Sequence, residues 1–153
     1  MMESSLSEPL REAVDEVLET MFFVEDGGRS AIARPPEELI EARLTFEGGP
    51  SGSFRLRITD GATKTLAADF LGEDAPELTA TRIAEVVSEL ANMICGAFLS
   101  RVAGEETTFR LSPPSAVPLR ARVVEAQEDG LAYSVELPDG ALGVALRVYG
   151  DGS

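Results

Sequence analysis

Histidine and tryptophan are absent from this chain, and asparagine, lysine and cysteine each occur once, as Asn92, Lys64 and Cys95. Without histidine, Ser–His–Asp and Cys–His nucleophilic chemistry is excluded. So are a histidine general base and any histidine metal ligand. A single lysine gives no support to a phosphate-binding P-loop or a Schiff-base site. A lone cysteine excludes an internal disulfide and fits a reducing compartment. Cys95 falls at an apolar-to-polar boundary of a helical pattern, where a structural, half-buried thiol is expected. No uninterrupted apolar run reaches the roughly 18 residues that span a bilayer. The N-terminus is polar and acidic rather than signal-like. A cytoplasmic location is the expectation.

What the chain has in plenty is acid. It carries 27 Asp and Glu against 13 Lys and Arg, for a net charge of −14. Phosphate backbones and anionic lipid surfaces need clustered cations, so neither nucleic acid nor membrane is an expected partner. A basic or metal-bearing protein face is a better match. The length of 153 residues suits a single domain over 1–153. Hydrophobic residues make up 44% and aromatic residues 6%, which points to an aliphatic α/β interior.

Periodicity divides the chain. Leu10, Ala13, Val14, Val17, Leu18, Met21 and Phe22 follow helical spacing, with Glu12, Asp15, Glu16 and Glu19 on the outer face. This predicts a helix from about Glu8 to Phe23, with Ser7 as N-cap and Pro9 in its first turn. Those four acids read as a solvated face rather than a metal site. Asp26-Gly27-Gly28 then reads as the stop. Ile40, Ala42, Leu44 and Phe46 alternate with polar residues, as do Phe54, Leu56 and Ile58. Gly48 to Gly52 is the turn of this predicted hairpin. Arg55 and Arg57 project together from the second strand, within reach of Glu41 for ion pairs. Asp60 can cap a short helix closed by Gly72. Glu73 to Pro76 reads as a break. A long helix follows from about Glu77 to Val102, then extended segments at Thr107–Leu111, Leu119–Ala126, Leu131–Leu137 and Leu142–Tyr149. Glu128-Asp129-Gly130 and Pro138-Asp139-Gly140 mark turns. The expected fold is α+β in two layers: two long helices packed on a largely antiparallel sheet, with a faint internal repeat of helix then strands.

Asn92 sits in the middle of the long helix, where asparagine is a mediocre helix former. At about 100° per residue, Glu89 and Asn92 project from one strip of surface, shared by Glu85 and Gly96. Ile83, Val86, Val87, Leu90, Ile94, Ala97 and Phe98 fall on the opposite side. A carboxylate and a carboxamide are thereby held side by side on an anchored element, with a glycine that admits a neighbouring surface. By itself Glu-x-x-Asn is a weak pattern, and a solvated polar face is the plain alternative.

Glu89-Leu90-Ala91-Asn92 followed by Pro113-Pro114 resembles the CheC, CheX and FliY chemotaxis phosphatase family. That family pattern has Asp or Ser, Glu four residues on, Asn three further, and Pro about 23 positions later. The order of segments matches over most of the chain. The first helix offers no Asn, so one motif is present, as in CheX-like members. Glu85 stands where the pattern has Asp or Ser, and Pro114 falls one residue short, at a place taken by Ser115.

The resemblance implies a protein phosphatase, a hydrolase that removes the aspartyl phosphate from a CheY-like response regulator in chemotaxis or another two-component pathway. It implies Asn92 holding the attacking water, Glu89 pairing with a lysine of the regulator, and Glu85 and Gly96 at the docking surface. It also implies no cofactor of the chain's own, Mg²⁺ supplied by the regulator, and a homodimer formed through sheet edges. The strand holding Leu142, Val144, Leu146 and Val148 is expected to be the exposed edge. A non-catalytic module that binds a receiver domain or a flagellar switch component is the alternative, and a structural dimerisation domain is a third.

Overall fold

The computed structural model describes residues 2–21, 34–48, 51–72, 79–102, 108–124, 130–137 and 139–149. The elements run α1 (Met2–Met21), β1 (Glu37–Glu47), β2 (Ser51–Thr59), α2 (Asp60–Leu71), α3 (Ala80–Val102), β3 (Arg110–Leu111), β4 (Ser115–Ala121), β5 (Leu131–Leu137) and β6 (Gly140–Tyr149). Among these residues, three helices pack on a six-stranded sheet whose neighbouring strands are all antiparallel. The strand order is β3-β1-β2-β6-β5, and β4 also pairs with β1. The α+β fold read from the sequence is the fold found, with α2 as a third, shorter helix.

The alternation of β1 and β2 sorts their side chains as expected. Ala42, Leu44 and Phe46 pair with Leu56, Phe54 and Gly52 across the hairpin, and these side chains are buried beneath the helices. β6 adds Leu142, Val144 and Leu146 to the same layer. The helices cross over between hairpins: α1 packs on α3 and β5, whereas α3 packs on α1, β1, β2 and β4. Each long helix therefore covers strands that it does not directly precede, which ties the two helix-plus-hairpin halves together.

α3 has contacts on several sides, so its buried set is wider than a single stripe. Ala91, Cys95 and Leu99 are buried in addition to the predicted Ile83, Val86, Val87, Leu90, Ile94 and Phe98. Ala97 is only half-buried. The Cys95 thiol is fully buried rather than half-buried. Burial in apolar surroundings pushes its pKa up to about 12, so it is inert as a nucleophile. α3 is long and apolar enough to cross a bilayer, yet half of its most apolar window is buried within the fold, as in a core helix.

Several boundaries differ from the sequence reading. α1 begins at Met2, so Ser7 is helical rather than capping, and Pro9 lies inside the helix. Its expected end at Phe23 and the Asp26-Gly27-Gly28 stop lie outside the described residues, as do Glu73 to Pro76 and the expected start of the long helix at Glu77. Thr79 caps α3 instead: its Oγ1 accepts from the Arg82 amide at 3.1 Å. Asp60 is the first residue of α2, not its cap. The preceding Thr59 occupies the N-cap position but makes no capping bond. Its hydroxyl is drawn to β6, where it accepts the Ala141 amide at 3.0 Å. Gly72 closes α2 as expected, in the left-handed conformation at φ 67°.

Two strands move further. The segment expected over Leu119–Ala126 is β4, Ser115–Ala121, with Pro118 inside it opposite Ile40. Among the described residues β4 borders only β1, so Pro118 lies on an outer strand, where proline is tolerated. β6 is not an edge. It lies between β2 and β5, and its backbone is paired on both sides. Among the described residues, the outer strands are β5 on one side and β3 and β4 on the other.

The face of the sheet away from the helices holds a charged network. Arg57 Nε donates to Glu41 Oε2 at 2.7 Å, and Arg43 Nε to Glu41 Oε1 at 2.6 Å. Arg55 Nε lies 3.8 Å from the same carboxylate. The ion pairs expected between this strand and Glu41 are present. Arg57 Nη1 also donates to the Arg122 carbonyl at 2.8 Å, which fastens the stretch after β4 to the sheet. Gly143 permits that approach, since a Cβ there would lie 2.4 Å from the Val123 carbonyl oxygen.

Candidate functional site

The exposed strip of α3 forms one wall of a groove of about 700 Å³. Thr81, Ala84, Glu85, Ser88, Glu89 and Asn92 line this wall, and Leu111, Ser112, Pro113, Pro114 and Ala116 line the facing one. Local sequence explains both. Helical spacing puts residues 85, 88, 89 and 92 on one strip, while the opposite side of α3 is held by the core.

The facing wall is the break between β3 and β4. Pro113 and Pro114 have no N–H to give to a ladder, so pairing with β1 stops there and resumes at Ser115 opposite Arg43. Ser112 bridges the gap. Its amide donates to the Thr45 carbonyl, and its Oγ accepts the Thr45 amide, both at 2.8 Å. Two prolines with fixed φ, pinned through Ser112, make a stiff wall opposite Asn92.

Glu85 and Glu89 are exposed, whereas Asn92 is half-buried. Asn92 is thus less open than a solvent-facing reading of its strip implies. The structure brings Glu85, Glu89 and Asn92 together in the groove and leaves Gly96 one turn further on, outside its lining. A Cβ placed on Gly96 would meet nothing within 4 Å, so nothing within the described fold requires glycine there. Sequence reasoning passed over Ser88 and Thr81. The signal for Ser88 was present, because it lies three residues after Glu85 and four before Asn92. Among the described residues, no group of three or more His, Cys, Asp or Glu is arranged to hold a metal ion.

The acidic face of the first helix is only partly solvated. Arg101 of α3 pairs with Glu16 and lies 3.7 Å from Glu12, and the Tyr133 hydroxyl donates to Asp15 at 3.3 Å. These contacts brace α1 against α3 and β5.

The fold and the groove define a class: helices over an antiparallel sheet, with a Glu–Asn pair on a buried central helix facing a proline wall. The family model described as chemotaxis phosphatase CheX matches residues 40–136, well over half of the chain. The chain belongs to the CheX chemotaxis phosphatase family. Among solved structures, it is similar to CheX from Vibrio vulnificus, with a TM-score of 0.76 at 19% identity, covering 96% of this chain and 98% of that one. CheX from Desulfovibrio desulfuricans matches with a TM-score of 0.69 at 16% identity, over 95% and 99% of the two chains. A complex of CheX with CheY, BeF₃ and Mg²⁺ from Borrelia burgdorferi contains a match with a TM-score of 0.65 at 19% identity, over 92% and 96%. At these identities the likeness speaks to the fold. A search of curated proteins finds no significant match.

Proposed function

We propose that this chain, acting as a single domain over 1–153, removes the aspartyl phosphate from a CheY-like response regulator in the cytoplasm. The observation that carries the proposal is the groove, in which Glu85, Glu89 and Asn92 on α3 face Pro113 and Pro114 in a chain of the CheX family. The Borrelia burgdorferi complex of CheX with CheY supports the choice of partner.

The chemistry suits a chain without histidine. Phosphoryl transfer passes through a loose transition state, so alignment of the attacking water and charge stabilisation account for most of the acceleration. The Asn92 carboxamide oxygen accepts a hydrogen bond from that water and aims its oxygen at phosphorus. It needs no change of protonation state to do so. As the water oxygen bonds to phosphorus, the bond from phosphorus to the aspartyl oxygen breaks, releasing inorganic phosphate and the free carboxylate. Glu89 receives the ammonium of a lysine on the regulator and fixes the docked orientation. The regulator brings the Mg²⁺ that neutralises the phosphoryl oxygens, and the phosphatase adds no cofactor of its own. Phosphate release from a phosphorylated CheY-like protein, measured with and without the chain, tests the proposal. Unchanged release refutes it and favours the second reading, a module that docks a receiver domain without turnover. Glu85 in the Asp or Ser position and the one-residue shift of Pro114 favour that second reading.

Gly96 gives a sharper test of docking. Gly96→Ala should stabilise the helix by about 1 kcal/mol, because alanine exceeds glycine in helix propensity and the new Cβ meets open space. If the regulator packs against this turn, the same change should raise KM while the melting temperature rises. A variant that is more stable and has unchanged KM removes Gly96 from the docking surface.

The homodimer belongs to the proposal as well, with its contact moved from β6 to an outer strand. Val117 on β4 is half-exposed and apolar, at 49% accessibility. Light scattering at micromolar concentration should give twice the 16.3 kDa chain mass. A monomer mass across that range rejects it.

A further inference from the structure

A serine inside a helix commonly turns its hydroxyl back to the carbonyl one turn earlier. Ser100 of α3 does so, donating to the Gly96 carbonyl at 3.0 Å. Ser88, on the same helix, makes no hydrogen bond through its hydroxyl among the described residues. It is half-buried and lines the α3 groove between Glu85 and Asn92. The Asn92 carboxamide is half-buried as well, and it too has no hydrogen bond among the described residues. Two polar side chains one helical turn apart therefore face the same groove with their hydrogen-bonding capacity open.

Their spacing suits one shared water. Side chains at i and i+4 have Cβ atoms about 5–6 Å apart. A water bonded to two oxygens at about 2.8 Å each bridges a similar distance. Other groove residues are less suited to that place. Thr81 lies about 16 Å from Asn92 along the helix axis. Pro113 and Pro114 on the facing wall have no N–H, and the Ser112 hydroxyl there already accepts the Thr45 amide. A water held by Asn92 alone can swing about a single hydrogen bond. A second contact from the same helix fixes its direction.

We propose that Ser88 is a second residue positioning the attacking water. Its Oγ accepts one hydrogen of the water while the Asn92 carboxamide oxygen accepts the other. This role rests on the phosphatase reading above. With both hydrogens held against α3, the lone pairs of the water face the docked phosphoryl group. The water oxygen bonds to phosphorus, and the bond to the aspartyl oxygen breaks with its electron pair left on the carboxylate. Both protons of the water leave with the phosphate, and Ser88 keeps its own.

Steady-state phosphate release from a phosphorylated CheY-like regulator, measured with the full chain and its variants, tests this. Ser88→Ala should lower kcat about tenfold, the worth of one neutral hydrogen bond at the upper end, and leave KM unchanged. The melting temperature should not fall, because alanine is the better helix former. The decisive reading is the double variant. If Ser88 and Asn92 hold one water, Ser88→Ala should cost less than about twofold once Asn92→Ala has already released it. Losses that multiply in the double variant would overturn the shared water. A loss carried in KM would place Ser88 in docking instead, and equal kcat in wild type and Ser88→Ala would remove it from the reaction. No release by the wild-type chain would overturn the phosphatase reading itself and this role with it.

Discussion

Asn92→Ala is expected to lower phosphate release from a phosphorylated regulator by about a hundredfold while docking stays nearly intact. The carboxamide is proposed to hold water, and that contact matters chiefly as the new bond forms. Loss of one positioned group of this kind commonly costs on the order of 3 kcal/mol in the transition state. The loss should therefore appear in kcat rather than KM. Folding should not suffer. Asn92 is half-buried on a helix whose opposite side supplies the core, and alanine is the better helix former. Glu89→Ala should behave differently, lowering turnover and also weakening docking, because its proposed lysine partner is already present in the ground-state complex. Single-turnover kinetics together with a binding titration separate the two effects. Equal turnover in wild type and a correctly folded Asn92→Ala would leave only a binding or structural role for the groove.

Much of the fold was readable because local patterns and tertiary demands agree. Every periodic residue of α3 except Ala97 is buried, and β5 occupies Leu131–Leu137 as the turn signals on either side imply. Disagreement arises where a neighbour distant in sequence overrides the local signal. Asp60 is the expected cap of α2, yet Thr59 holds the N-cap position and spends its hydroxyl on the Ala141 amide. The segment expected to begin at Leu119 begins at Ser115 and takes in Pro118, which an outer strand tolerates. The final strand reads as an edge because it comes last. Chain order says little about spatial order, and β6 lies between two partners.

The same division runs through the candidate site. The α3 wall was legible in Glu85, Glu89 and Asn92, because helical spacing fixes their relative direction. That Pro113 and Pro114 form the facing wall was suggested by family resemblance, but the physical reason lies in Ser112, whose two bonds to Thr45 hold the turn. Nothing in the spacing between Thr45 and Ser112 reports that contact. The arginines on the sheet face away from the helices are the reverse case. Arg55 and its neighbour Arg57 were visible as a pair, but Arg147 joins them only through the register of β2 against β6.

Glu41→Ala is expected to be strongly destabilising, costing about 3 kcal/mol or more. Its carboxylate is 5% exposed, and its buried partner Arg57 is 8% exposed. Removing one member of a buried pair takes a close counter-charge from a desolvated ion, which typically costs about 3–5 kcal/mol. For a chain of this size that corresponds to a fall of roughly 10 °C in melting temperature. Replacing both by methionine should recover part of the loss, because the uncompensated charge goes as well. The pair also predicts an acid response. Burial alone would raise the Glu41 pKa, but hydrogen bonds from Arg43 and Arg57 outweigh it and hold the carboxyl below its ordinary value of 4.5. A depressed folded-state pKa means the stabilisation is fully present above the unfolded value and is lost as pH falls through the folded one. Wild type should therefore lose stability steeply below about pH 4.5, while the Glu41→Gln variant should start lower and show a shallower decline. Thermal melts of both proteins between pH 7 and pH 3 measure the difference. Parallel curves would mean that the Glu41 carboxylate does not couple protonation to folding.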